Sequence, residues 1–236
     1  MLPLKILTQP DDQTCGPTSL HAVYNYFGDD ISLEDVIAGV SYLEGGGTLA
    51  VMLALHALKR GYQARIYTYN LHVFDPTWFN DPNTNIANKL EEQLIYKPEK
   101  RLHIATSGYL EFLSLGGKLC FEDLSSQLLN RYFMQSIPIL TGLSSTYLYQ
   151  CAREYVTPLN ETLYDDVRGH SSGHFVILAG YDEATRNVVV ADPYADNLVS
   201  GDNYYSVGVQ RLLNSILLGI LTYDANLLVI QPSKIS

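Results

Sequence analysis

The residues that could do chemistry begin with Cys15, in the stretch "QPDDQTCGPTSL". Leu20, Val23 and Phe27 follow it at spacings of three and four, which predicts a helix over 15–27. Pro17 suits the first turn, where its missing N–H costs nothing, and Gly28 suits the stop. A cysteine at a helix N-terminus meets unpaired N–H groups and the positive end of the macrodipole, and both favour thiolate over thiol. Gly16 is expected to let the backbone approach a bound substrate closely. The plain alternative is a small buried apolar residue that starts a helix.

A thiolate nucleophile needs a base, and the base needs an orienting group. Of the six histidines, His21 and His56 fall in helical patterns, and His72 and His103 lie in a less regular middle. His170 and His174 bracket "HSSGH". Their spacing of four would suit a metal on one helix face, but the Ser-Ser-Gly interior argues against a helix, so no metal site is expected. His174 opens an apolar strand, where it needs a polar partner or an open cleft. Asp182, along the same strand, lies about 26 Å away and cannot reach it. Asp192 ends the next strand. If "DEATRN" turns the chain, Asp182 faces Asn187 and His174 falls within about three residues of facing Asp192. A small register change puts the two on one face, roughly 5–8 Å apart at Cβ. The oxyanion formed when a thiolate attacks an amide needs two donors. The Cys15 N–H is one, and a glutamine amide can be the other. Gln13 is so near in sequence that its side chain should point away from the thiol, so Gln9, six residues before Cys15, is preferred.

These residues need elements to hold them. "LKIL" alternates weakly and reads as a short strand. "SLEDVIAGV" is a short helix with Ser32 as N-cap. Thr48 caps a helix that stops at Gly61, and "YQARIYTYN" alternates as a strand. Stretches 84–97 and 104–115 read as helices, as does "SSQLLNRYFMQS", which is followed by the strand "IPILTGL". Residues 144–172 form a polar excursion. "HFVILAGYD" and "NVVVADP" read as strands joined by a short turn, "SVGVQRLLNSILLG" as a helix and "NLLVIQP" as a closing strand. Helices dominate the first half and strands the second, which predicts an α+β fold with a helical half on a mostly antiparallel sheet.

The composition excludes several classes. The 236 residues are 47% hydrophobic, enough for one substantial core. A net charge of -10 repels phosphate backbones, so nucleic acid is not an expected partner. The apolar stretch Leu212–Ile230 is broken by Asn214, Ser215, Thr222, Asp224 and Asn226, so it reads as a core helix and strand, not a membrane span. The N-terminus lacks a signal-peptide pattern, and the expected location is the cytoplasm. Cys15, Cys120 and Cys151 are odd in number and lack metal spacing, so neither a disulfide framework nor a metal cofactor is expected. The 18 tyrosines read as core and surface aromatics.

Gln9 and "CGPTSL" at Cys15, then "GHFVILAGYD" with His174 and "VVVADP" with Asp192, resemble the papain-like cysteine peptidases. Within that clan they resemble most the bacteriocin-processing, double-glycine leader peptidase family (cysteine peptidase family thirty-nine) and its standalone relatives. "KRGYQARIY" and "IPILTGL" are similar to segments of the same family. The resemblance covers residues 5–70 and 135–195. It implies a papain-like α+β domain over 1–236, with insertions at about 71–134 and 144–172. Long loops that persist in a compact domain are often functional, so parts of both are expected to pack near the cleft. It implies Cys15 as nucleophile, His174 as base, Asp192 as orienter and Gln9 as oxyanion donor. It implies cleavage of an amide bond in a peptide through a thioester acyl-enzyme. Transfer of the acyl group to an amine, as in the similar phytochelatin synthases, is the alternative within the enzyme class. A peptide-binding module that has lost catalysis is the alternative outside it, and the complete residue set weighs against that module.

Overall fold

The computed structural model describes residues 1–44, 46–157 and 161–233. The first half supplies α1 (Cys15–Tyr26), α2 (Leu33–Gly39), α3 (Ala50–Lys59), β1 (Tyr62–Thr68), α4 (Ile86–Leu94), α5 (Lys100–Ser114) and β2 (Lys118–Cys120). The chain continues with α6 (Ser126–Phe133), β3 (Ile139–Ser144), α7 (Ser145–Tyr149), β4 (Glu154–Val156) and β5 (Thr162–Tyr164). It closes with β6 (Gly173–Asp182), β7 (Asn187–Ala191), β8 (Tyr204–Gly208), α8 (Val209–Leu218) and β9 (Asn226–Pro232).

Seven strands form one sheet in the order β2-β1-β9-β3-β6-β7-β8, while β4 and β5 form a separate pair. Every neighbouring pair in the large sheet is antiparallel except β1 and β2. The α+β expectation therefore holds, with one difference: helices cover both faces. Alternate residues of each central strand divide between two cores. Phe175 and Ile177 join a core with Leu20, Val23, Leu53 and Phe112. Val176 and Leu178 join another with Leu128, Leu212 and Ile216. A strand buried on both faces reads as an unbroken apolar run, which is why "FVILA" shows no alternation. The stretch Leu212–Ile230 divides into α8, a 3-10 turn at Gly219–Thr222 and β9. No helix among the described residues is long and apolar enough to cross a membrane.

Local departures have local causes. "LKIL" is not a strand. Its neighbourhood is held by single bonds, from the Leu2 N–H to the Ala179 carbonyl and from the Ile6 N–H to the Tyr204 hydroxyl. The helix expected from 206 starts at Val209, because residues 204–208 pair with β7 as β8. Tyr205 and Val207 are buried and their neighbours exposed, a period of two that the following helix obscured. The helix expected over 104–115 begins four residues earlier, at Lys100. The polar excursion contains α7 and the β4–β5 pair.

Candidate active site

The site is built where α1 begins. Asp11 organises the approach: its carbonyl accepts from the Thr14 hydroxyl and from Gln9 Nε2, and its carboxylate accepts the Gln13 N–H at 2.8 Å. Cys15 then opens α1, buried, with no side chain capping the first turn. The unpaired N–H groups of that turn are the donors a developing anion would use. Gly16 does not face a substrate, contrary to the expectation from the sequence. A Cβ on it would lie 2.7 Å from Thr48 Cγ2 and 3.2 Å from Phe175 Cδ2. The glycine lets the helix start pack directly on α3 and β6. The Ser19 hydroxyl adds a hydrogen bond to the Phe175 carbonyl at 3.3 Å.

His174 and Asp192 owe their meeting to a bulge. The turn pairs Asp182 with Asn187, and that register holds through Gly180 and Val189. It then shifts by one residue, so Leu178 faces Val190 and Ile177 faces Ala191. Without the shift, His174 and Asp192 would sit on opposite faces of the sheet, because side chains alternate. With Ala179 as the extra residue they become diagonal neighbours on one face. The carbonyl of Ala179, freed from the ladder, accepts the Leu2 N–H at 2.7 Å. Gly180 leaves the room for this, since a Cβ there would approach Met1 Cα to 3.1 Å.

His174 Nε2 lies 2.7 Å from Asp192 Oδ1, and both residues are buried, Asp192 completely. The bond to Asp192 occupies Nε2 and leaves Nδ1 for the thiol. Burial of the imidazole works to lower its pKa. The Asp192 carboxylate and the nearby Cys15 thiol outweigh burial, and the net shift is upward. Burial likewise works against the Asp192 charge, but His174 and three further donors hold its pKa below the usual carboxylate value. The pair is therefore poised as imidazolium and carboxylate.

Asp192 has partners that the sequence reading missed. Its Oδ2 accepts from the Tyr149 hydroxyl at 2.8 Å and the Tyr205 hydroxyl at 2.7 Å, and its Oδ1 accepts the Tyr194 N–H at 2.9 Å. Asn203 and Asp192 also exchange hydrogen bonds through the Asp192 backbone. Spacing gave no signal for the tyrosines, because α7 and β8 bring them in from separate parts of the chain.

A cavity of ≈ 260 Å³ opens beside His174. Gln9, Asp12, Tyr149, Glu154 and Tyr164 are among the residues that line it. Several residues of 145–172 line it and none of 71–134 does. Gln9 is anchored by its N–H on the Pro193 carbonyl at 2.9 Å. Its Nε2 gives one N–H to Asp11, so the second can be donated to a ligand. Gln13 is exposed and its amide lies over Gly46, away from this cavity. His170 is exposed and bridged through its backbone to Glu154, not grouped with His174. A larger cavity of ≈ 430 Å³, between β1 and α6, is lined by no thiol, histidine or carboxylate.

Comparison with known proteins agrees with the resemblance seen in the sequence. The model of the peptidase C39-like family matches residues 121–211. That segment carries His174 and Asp192 but neither Gln9 nor Cys15. No curated protein matches the sequence. A protein of known structure from Bacillus anthracis, described as a C39-like peptidase, aligns with a TM-score of 0.52 and 14% identity. The alignment covers 98% of this chain and 96% of that one, and it supports the same fold. A double glycine motif protease from an AMS/PCAT transporter, solved with its leader peptide, aligns at 0.45 and 13% identity, over 98% and 94% of the two chains. Xylellain, a cysteine protease from Xylella fastidiosa, aligns at 0.43 and 16% identity, over 99% and 85%.

Proposed function

We propose that this chain, similar to C39-like peptidases in fold and in its central segment, is a cysteine peptidase that cleaves an amide bond in a peptide. The observation that carries the reading is the buried His174–Asp192 pair at 2.7 Å, with the Cys15 thiol near enough to help raise the imidazole pKa. A structural histidine would need neither a fully buried carboxylate nor an adjacent thiol.

In this reading the Cys15 sulfur attacks the carbonyl carbon of a peptide in the ≈ 260 Å³ cavity. The carbonyl electrons move to oxygen, where the Cys15 N–H and the free Gln9 N–H meet the charge. As the intermediate collapses, the C–N bond breaks and imidazolium His174 gives its Nδ1 proton to the departing amine. The product is a thioester on Cys15. Neutral His174 then takes a proton from water, the hydroxide adds to the thioester, and Cys15 leaves as thiolate beside a restored imidazolium. Asp192 is never protonated. It fixes the ring through Nε2 and balances the charge that appears there.

The test is incubation with a mixed library of tryptic peptides, with new termini read by mass spectrometry. Wild-type protein should produce cleavage products, and Cys15→Ala and His174→Ala should produce none. Products that persist in Cys15→Ala would refute the reading.

A further inference from the structure

The Asp192 carboxylate is held more elaborately than an orienting group requires. Oδ1 already accepts from His174 and from the Tyr194 N–H. Oδ2, on the side away from the ring, accepts two phenols, Tyr149 from α7 and Tyr205 from β8. We propose that Tyr149 and Tyr205 are positioning residues that keep Asp192 ionised and aimed at His174, so that the acid limit of Cys15 reactivity is set by two hydroxyls that never touch the substrate's reacting atoms. The proposal rests on the peptidase reading above.

Three features make this more than packing. First, both phenols converge on one oxygen at 2.7–2.8 Å, from two elements far apart in sequence. A fully buried carboxylate oxygen without such donors would favour its protonated form, because desolvation penalises the charge. Second, α7 is tied to the segment that leads into His174. The Ser145 N–H and hydroxyl both bond the Ser172 carbonyl, the Ser172 N–H bonds the Thr146 hydroxyl, and the Ser144 and Ser171 hydroxyls pair. Tyr149 is thereby held in register with the imidazole, whose ring centroid lies 6.1 Å from its own. Third, burial and the neighbouring carboxylate raise both phenol pKa values well above the usual tyrosine value, so the two remain donors at every pH where the protein is folded.

The ionisable groups that face Asp192 are His174 from β6 and the two phenols, with Cys15 at the start of α1 near the same cluster. The phenols stay protonated, so the groups that titrate at Asp192 are the His174–Asp192 pair, and the acid limit is a property of that pair. Removing a donor from ionised Asp192 raises its proton affinity. Protonated Asp192 no longer supports imidazolium His174, and Cys15 then loses its charged partner. The acid limit must therefore move up in pH. A hydrogen bond to a charged group corresponds to about one pH unit or more, so each hydroxyl should count for about one unit and both together for about two.

The experiment measures the rate of Cys15 alkylation by iodoacetamide between pH 3 and 8, in wild type, Tyr149→Phe, Tyr205→Phe and the double variant. Circular dichroism confirms the fold at each pH. The acid midpoint should rise by about one unit in each single variant and by about two in the double. Midpoints that coincide with wild type in folded variants would overturn the proposal and leave the peptidase reading intact. Tyr149 is only half-buried, so Tyr149→Phe decides the matter alone if Tyr205→Phe does not fold. His174→Ala is the separate control. If it leaves wild-type reactivity unchanged, the peptidase reading fails and this proposal fails with it.

Discussion

Gln9 and Gln13 lie on either side of Asp11 and end in different places, one in the cavity with His174 and the other over Gly46. Of the two, only Gln9 lines the cavity beside His174, which supports it as the proposed oxyanion donor. In a peptide that the wild type cleaves, Gln9→Ala should lower turnover by about a hundredfold or more, the scale of a lost oxyanion donor. Gln13→Ala should leave it within a few-fold. A larger loss from Gln13 would reverse the assignment, and kcat measured on both variants decides it. At this scale the sequence was most informative where chemistry imposes residue types. A cysteine at a helix start and a histidine at a strand start are unusual enough to notice. Tyr149 and Tyr205 were not legible, because a tyrosine among 18 is unremarkable until its hydroxyl is seen to meet a carboxylate.

The elements that hold the site depend on contacts between distant parts of the chain. Thr48 looked like the N-cap of α3, but its hydroxyl bonds the Ser41 carbonyl at 2.8 Å, and the helix begins after Leu49. Asp224 does the capping instead, its Oδ1 accepting the Ala50 N–H at 3.0 Å from 174 residues away. No local pattern can announce such a cap. Nor could the sequence locate the bulge at Ala179, which decides whether His174 and Asp192 share a face. Asp224 is buried, and burial raises its pKa to about 7 against the partial offset of the Ala50 N–H and Arg101. This folded-state pKa lies above the unfolded value of about 3.9. The proton-linked stability is therefore complete below pH ~4, falls as pH rises to about 7, and is absent above that. Asp224→Asn keeps an acceptor for Ala50 and removes the titration. Its stability relative to wild type should increase from pH 4 to pH 7, by up to about 4 kcal/mol. Urea unfolding of both proteins at pH 4.5 and 7.5 measures the difference. Parallel pH dependences would show that Asp224 is not the titrating group.

Across the whole molecule the site joins the two ends of the fold. Gln9 and Cys15 come from the first fifteen residues, and His174 on β6 and Asp192 just past β7 from the last third, with α1 packed over Phe175 to close the distance. The central strands of the sheet were legible because they are strongly apolar, whereas β2 and β8 at its edges were not. The covering of both its faces was not, since a period of two disappears when both sides are buried. The central claim is that Cys15 and His174 act as one unit, and the measurement that bears on it most directly is alkylation by iodoacetamide at pH 5.5, located by mass spectrometry. Cys120 and Cys151 are internal references, because burial raises the pKa of both thiols. Cys15 should be modified far faster than either, and His174→Ala should remove most of that advantage, because the imidazolium that favours the thiolate is gone. Equal rates at the three cysteines, or a Cys15 rate indifferent to His174, would contradict the account.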